Sequence, residues 1–556
     1  MASVALISIY DEYCLGVRYV ASFLKQHGHD VTLIHFKRFA RKLVDPQARI
    51  KTDGPFDSYL TAVYPWGDEI LDYAIPYTEK EISLLLSLLA ERKVSIVGIT
   101  VPSYHKKTVL ELSKHIKTRL GLPVVWGGIH PTIAPDDCFD DEGIVNFLCL
   151  CEGEHTFREF VEAYERHADF TTTPIRGMWI RLNDKIIRNE PRPVEPDLDQ
   201  FGSQLFDEDL EFMIDEDRII HKELTPEDEL SFKYKTITGR GCPFSCSYCI
   251  NSTIHRHYKH FKRLRRRSPQ QVIAELVAAK KRLPHLNRIE FYDDVFVARR
   301  DWLVEFAELY KKEVAVPFWC YTHPLLVNRE MLTILKDMGI QFINMGIQSG
   351  SDRINFDIYG RKTSREKILE AASLIAESKI IAVYDMLCAN PYETEEDLYN
   401  TVDLLTQIPS EFILQIGELT LFPATTLAEK VQRENPKPAV TAKQRRFWNA
   451  LYLLSQFKLV DRETLMALTQ DQHLRDSPQL LWDMTKLAWR ARDDGWRKEV
   501  AEASAKCYRG KFLATCAELA ALKSRKAVRF SVRFADALRK LAARFRQHQP
   551  AIGSRS

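Results

Sequence analysis

No run of apolar residues in this chain approaches the roughly 18 that a helix needs to cross a bilayer, so a spanning segment is not expected. Charge of one sign is equally scarce. The 78 Lys and Arg stand against 76 Asp and Glu, a formal net charge of +2 that by itself demands no polyanionic partner. Internal repeats and low-complexity stretches are missing, which argues against a repeat array. GxGxxG is missing too, and with it the usual mark of dinucleotide binding. The apolar start, residues 4–10, is too short for a signal-peptide core and runs into Asp11 and Glu12, so it reads as a strand. The 11 cysteines, an odd number among 556 residues, follow no small disulfide scaffold. A cytoplasmic, reducing location is the expectation.

What is present is the composition of a globular protein, 45% hydrophobic and 28% charged, long enough for roughly three or four domains. The chain is organised around residues 235–251. There Cys242, Cys246 and Cys249 fall within eight residues in the spacing CxxxCxxC. They follow the β-branched run Thr236, Ile237, Thr238, in a loop loosened by Gly239 and Gly241. Soft thiolates this close can hold three corners of an iron–sulfur cube and leave the fourth iron without a protein ligand. The alternative is a zinc site completed by His255, His257 or His260, although zinc motifs usually pair their cysteines as CxxC.

The loop resembles that of the radical S-adenosylmethionine (radical SAM) enzymes, whose CxxxCxxC carries a 4Fe–4S cluster. The resemblance implies that the open iron is chelated by SAM and that Tyr248, before the last cysteine, contacts adenine.

Residues 1–165 alternate strand and helix: strands at 4–9, 31–35, 94–101, 123–126 and 146–149, helices at 16–27, 79–92 and 105–120. Such alternation means an α/β, doubly wound, Rossmann-like parallel sheet, whose ligands bind beyond the strand C-termini. The candidate loops there are 100–103, Gly127-Gly128-Ile129-His130-Pro131-Thr132 and Cys151-Glu152-Gly153-Glu154. The last two resemble loops of the cobalamin-binding domain that precedes many radical SAM domains. The resemblance implies corrinoid contacts from Gly127, Gly128, His130, Thr132, Gly153 and Glu154. DxHxxG, which gives cobalt a histidine ligand in such domains, is absent. The plainer reading is a sheet with turn glycines and a surface His130.

Residues 166–230 read as a linker with a small hairpin at 177–189, and the acidic run 207–229 as a solvated face. Residues 231–430 alternate again, as a partial (β/α)6 barrel. Ser268-Pro269 opens a helix. The strand 288–292 ends in Asp293-Asp294, where a carboxylate faces the ligand side of a barrel; either could hold the SAM amino group or cap a helix. His323 stands near where relatives carry an arginine. Residues 346–351, Gly-Ile-Gln-Ser-Gly-Ser, resemble the family's Gly-Ile-Glu-Ser-Gly-Ser, implying ribose contacts from Gln348 and Ser349. In the stretch 384–398, Ala389 and Tyr392 replace two usual glycines, and Thr394 to Asp397 should cap a helix. Pro423 lies in the strand-end motif that closes the SAM site. Lys259, Lys262, Arg263, Arg265, Arg266 and Arg267 could grip RNA phosphates; the blander reading, a solvated arm or an anchor for cofactor anions, is favoured.

Residues 431–556 read as helical, with Trp448, Leu451, Tyr452 and Leu454 packed on the barrel. From Cys507 onward stand twelve Lys or Arg and two acidic residues, and Phe530, Phe534, Leu538, Leu541 and Phe545 make one stripe. Such a basic helix can lie in a membrane interface, cover the barrel or bind a partner.

Together the resemblances imply a cobalamin-dependent radical SAM enzyme with three cofactors: a 4Fe–4S cluster, S-adenosylmethionine and cobalamin. It would methylate an unactivated carbon of a small-molecule, lipid or peptide substrate through a 5′-deoxyadenosyl radical. A reducing partner such as flavodoxin or ferredoxin is implied, and no DNA. The alternatives are radical cyclisation or rearrangement, an RNA-modifying methylthiotransferase, and a non-catalytic zinc- and cobalamin-binding module. No residue is singled out as catalytic.

Overall fold

The computed structural model of the chain describes residues 1–43, 58–63, 69–140, 142–183, 185–220, 229–257, 264–296, 299–482 and 485. His260, Lys259, Lys262, Arg263 and the basic stripe beyond residue 507 lie outside the described residues. Among those described, no helix is long and apolar enough to cross a membrane.

The first strand, Ser3–Ile9, is buried along almost its whole length, as a strand covered by helices on both faces must be. It pairs in parallel with Asp30–Phe36 on one side and Ile96–Thr100 on the other. Val124–Gly127 and Phe147–Cys149 continue the parallel array. Two apolar clusters cover its faces, one around Ile82, Leu89 and Trp126, the other around Leu24, Phe157 and Phe160.

The stretch expected as a linker carries four further strands of this sheet. Met178–Leu182 and Lys185–Arg188 form the expected hairpin, which continues the edge beside Phe147–Cys149. Glu211–Asp215 pairs in parallel with Asp30–Phe36 and turns back into Arg218–Ile220. The acidic run is therefore not a uniformly solvated face. Glu211 is buried, and Arg18 grips its carboxylate at 2.6 and 2.9 Å.

The second sheet is the partial barrel. Lys233–Thr236, Arg288–Phe291, Phe318–Thr322, Ile340–Gln348, Ile381–Cys388 and Ile413–Glu418 run parallel in chain order. The helices between them start where the sequence indicates. Ser268 accepts from the Gln271 amide with Pro269 in the first turn, and Thr394 with Asp397 makes a reciprocal capping box. Beyond the sixth strand the sheet goes on with Ser58–Val63, Glu69–Ala74 and Phe39–Leu43, an antiparallel excursion from the first domain. The strand–helix alternation read from the sequence held no element between residues 35 and 79.

Strand alternation divides the barrel residues. Ile289, Phe291, Phe318, Cys320, Ile343, Met345, Tyr384, Met386, Leu414 and Ile416 enter the helix-facing core. Their alternates, Glu290, Trp319, Tyr321, Asn344, Asp385 and Gln415, therefore face the lumen. The lumen floor is apolar, with Phe342, Val383, Ile413 and Phe457 in one cluster. The helices Ala442–Ser455 and Arg462–Leu468 close the core from outside through Phe447, Trp448, Leu451 and Leu465.

Candidate functional site: the cluster loop and the cavity beside it

The loop that follows the first barrel strand opens with a two-residue ribbon, Gly239–Arg240 paired with Arg265–Arg266. A Cβ at Gly239 would meet the Arg265 carbonyl at 2.5 Å, so only glycine allows this approach. Gly241 follows at φ +91°. The three thiols come next, all free, with Cys246 buried and Cys242 and Cys249 partly buried.

The loop is held by its backbone. Ser247 N donates to the Tyr359 carbonyl at 2.8 Å, Ser247 Oγ to that of Ile358 at 2.6 Å, and Leu427 N to that of Ser247 at 2.9 Å. Thr253 Oγ1 donates to the Ala424 carbonyl at 2.8 Å, which brings the Pro423 turn to the cluster helix Ile250–His257. From the third barrel strand, His323 stacks on Phe244 with ring centroids 3.7 Å apart. The cluster loop thus lies over the barrel mouth.

Burial pushes the Cys242 thiol up to about 12 and Cys249 to about 11; Asp294 and Cys246 add to both shifts, and Cys249 adds to that of Cys242. Anionic sulfur here needs nearby positive charge, which iron supplies. The donor set fits a 4Fe–4S cluster: three thiolates, each free to sit on its own iron. Among the described residues no group of three His, Cys, Asp or Glu side chains is drawn together as a metal site; His260, one histidine of the zinc alternative, lies outside them.

The two carboxylates after the second strand part company. Asp293 is buried and accepts from the Thr238 amide at 3.0 Å, its hydroxyl at 2.7 Å and Arg266 at 2.7 Å. It pins the cluster loop. Asp294 is exposed and its charge acts on Cys242 and Cys249, so it is the carboxylate open to a ligand. Tyr248 leans its ring on Tyr359 at 4.9 Å and receives a hydrogen bond from Arg361 at 3.3 Å. Arg361 also donates to the Gly346 carbonyl, joining the cluster loop to the Gly-Ile-Gln-Ser-Gly-Ser turn. There Gln348 takes φ +63°, while the buried Ser349 accepts from the Ser351 amide and holds the turn.

The other half of the site is an open cavity of about 260 Å³ at the C-terminal edge of the first sheet. Leu6, Val17, Val20, Ile99, Val125 and Phe157 give it an apolar wall. Gly127, Gly128, Gly153 and Glu154 line it, as do Ile237 and Arg240 from the base of the cluster loop. The space depends on missing side chains: a Cβ at Gly98 would meet Leu6 at 2.7 Å and Phe157 at 3.0 Å, and one at Gly128 (φ +89°) would meet Thr100 Oγ1 at 2.5 Å.

His130 and Thr132 lie beneath the cavity and do not line it. His130 is buried, not at the surface, between Ser103 at 3.1 Å and Asp137 at 3.1 Å. Thr132 bonds the Gly128 carbonyl and the Cys151 amide. Glu154 is committed to Arg240, and Glu152 to Arg265.

The arginine run is no solvated arm. Arg265 reaches Glu152 across the two sheets, Arg266 holds Asp293, and Arg267 bonds Glu275 at 2.8 Å and Tyr19 at 3.0 Å. A run of charges gives no local hint of this, because its acidic partners lie 8, 27 and 113 residues away. Arg240, Arg361, the His323 stack and lumen-facing Asp385 were likewise invisible to motif reading.

Residues 236–405 match the model of the radical SAM superfamily. An uncharacterized methyltransferase of Pyrococcus horikoshii is 26% identical over 60% of this chain and 68% of its own length. Against the anaerobic magnesium-protoporphyrin IX monomethyl ester cyclase of Rubrivivax gelatinosus, 21% identical, the chain spans about half of the relative, 56%. The radical SAM methyltransferase TsrM of Kitasatospora setae, solved with cobalamin and a 4Fe–4S cluster, aligns at TM-score 0.54 and 16% identity over 78% of this chain and 75% of its own. The cobalamin-dependent SAM radical enzyme OxsB, solved with aqua-cobalamin, aligns at 0.59 and 13% identity over 98% and 80%. At such identities the two structures show a shared fold.

Proposed function

We propose that this chain, whose residues 236–405 belong to the radical SAM superfamily, is a cobalamin-dependent radical SAM enzyme that methylates an unactivated carbon. The observation that carries the reading is the shared wall between the two halves of the site. The glycine-lined cavity of the first sheet is closed in part by Ile237 and Arg240, directly before the cluster cysteines. When bound, the cluster supplies the electron that splits SAM and the corrinoid supplies the methyl group.

The chain's own residues position and shield. Cys242, Cys246 and Cys249 would hold the cluster, and Asp294 and Gln348 would receive the amino and ribose groups of SAM. Tyr248 packs behind the cluster loop. Gly98, Gly127, Gly128 and Gly153 leave room for the corrinoid tail. His130, held by Ser103 and Asp137, does not line the cavity and would brace its floor. The lumen receives the substrate, and its apolar floor excludes water. An external reductant, such as a flavodoxin or ferredoxin, delivers the electron.

Anaerobically purified, cluster-loaded protein tests this. With SAM and a reductant it should form 5′-deoxyadenosine, and it should retain a corrinoid seen by its visible absorbance. Cluster-loaded protein that binds no corrinoid would remove the methylation scheme and leave the radical SAM chemistry. The cyclase likeness favours a second reading, radical cyclisation or rearrangement, in which SAM is consumed without methyl incorporation; labelled methyl groups separate the two.

A further inference from the structure

We propose that the barrel lumen takes a substrate carrying a protonated amine on a flat or apolar body, the body against Tyr292, Trp319 and Tyr321, and the nitrogen against the Asp385 carboxylate. The inference rests on the lumen being the substrate chamber of a radical SAM barrel, and it adds a chemical class to that reading.

The wall comes from two neighbouring strands. Tyr292 and Trp319 have ring centroids 5.1 Å apart, Trp319 and Tyr321 4.8 Å, and Tyr292 and Tyr321 6.2 Å. Phe291 and Phe318, pointing the other way, are wholly buried in the core. The lumen rings keep part of their surface open, with Tyr292 37% exposed. Open aromatic faces in a chamber attract flat groups and cations. The molecule already uses one such face for a cation. The Lys235 ammonium lies 3.8 Å from the Tyr13 ring centre and 4.9 Å from that of Tyr292.

The carboxylates of the lumen differ in their commitments. Glu290 is buried and taken by Arg288 at 2.6 Å, with Lys233 at 3.9 Å. Asp385, on the fifth strand, is partly exposed and forms no ion pair with any described residue. The Asn344 amide and the more distant Arg361 only partly offset its burial, which holds the carboxyl near 7. Tyr321 pairs with Asn344 on the fourth strand, and Asp385 pairs with Gly346 two residues further along that strand, which brings the carboxylate close to the aromatic wall. Its neighbour on the sixth strand, Gln415, is exposed, so there is room next to it. An accessible carboxylate beside π faces suits an ammonium group and disfavours an anion.

Isothermal titration calorimetry on full-length, cluster-loaded protein tests the proposal with three probes of one shape: 2-phenylethylammonium, 2-phenylethanol and 3-phenylpropionate. The amine should bind about tenfold more tightly than either of the others. Asp385→Asn should bring the amine down to the level of the alcohol, and Trp319→Leu should weaken all three alike. If Trp319→Leu does not fold, Tyr321→Leu serves in its place. Equal affinities, tighter binding of the propionate (as a Lys235-governed anion site would give), no measurable binding, or an amine preference that survives Asp385→Asn would each overturn it. Iron and sulfide content of the same samples reports separately on the cluster, so a missing cluster and a missing amine preference are distinct results.

Discussion

The Arg240 guanidinium lies 2.5 Å from the Glu154 carboxylate, and this pair joins the two halves of the molecule at the place where their cofactors would meet. Arg240 belongs to the ribbon that begins the cluster loop, and Glu154 to the first turn of the helix Gly153–Glu165. The side chains are 18% and 3% exposed, and Arg240 also stacks on Phe201 at 4.8 Å. Removing Arg240 leaves Glu154 buried and unpaired, which costs about 3 kcal/mol; removing Glu154 costs less, because Arg240 keeps Glu152 at 3.5 Å. Arg240→Gln and Glu154→Gln should therefore each lower the midpoint of chemical denaturation, the former more. The double variant should recover part of the loss, a coupling that a double-mutant cycle reads directly.

Cys246→Ser should abolish the cluster with little change in fold, since the loop is held by the backbone and hydroxyl bonds of Ser247 with Tyr359, Ile358 and Leu427. Iron and sulfide should drop to background while far-ultraviolet circular dichroism is retained.

Ala389 takes φ +66° where the family resemblance calls for glycine. A left-handed conformation costs a residue with a Cβ about 1 kcal/mol relative to glycine. Ala389→Gly should raise the stability by about that amount, measured by denaturant unfolding. Strain held at the end of a barrel strand, beside the SAM-facing turn, is typical of a functional site.

Burial raises the Asp385 carboxyl from its ordinary value to about 7, with Asn344 and Arg361 opposing the shift and Tyr321 facing it. The folded state therefore holds a proton that the unfolded chain gives up from about pH 4 upward. This group's contribution weakens the fold progressively as pH rises from about 4 to about 7, and is constant above. Asp385→Asn should be more stable than the parent at pH 8, with the advantage shrinking as pH falls toward 4. Melting temperatures across that range check it.

A Cβ at Gly98 has no room between Leu6 and Phe157, so Gly98→Ala should overpack the cavity floor at a cost of about 1–3 kcal/mol. It should also weaken corrinoid binding, followed by absorbance titration with cyanocobalamin.

The elements that carry their own periodicity were legible in the sequence. The strand Ser3–Ile9, the helix opened by Ser268-Pro269 and the Thr394 cap all announce themselves locally, and so does the thiol spacing. What stayed hidden depends on distant partners. Glu211–Asp215 is a strand because Asp30–Phe36 offers it an edge, and Arg265 to Arg267 are buried because Glu152, Asp293 and Glu275 await them. The motif reading also placed Asp293, His130 and Thr132 at ligands, whereas each is occupied in bracing a loop. A carboxylate or hydroxyl at a strand end can serve either purpose, and only its neighbours decide.

The excursion Phe39–Ala74 leaves the first sheet early and adds its Ser58–Val63 strand to Ile413–Glu418, made some three hundred and fifty residues later. During synthesis this ribbon must wait for its edge until nearly all of the barrel has emerged, with its backbone donors and acceptors exposed in the meantime. A fragment carrying the first sheet alone would keep that sticky border permanently. For this chain the two halves are best regarded as a single unit of assembly.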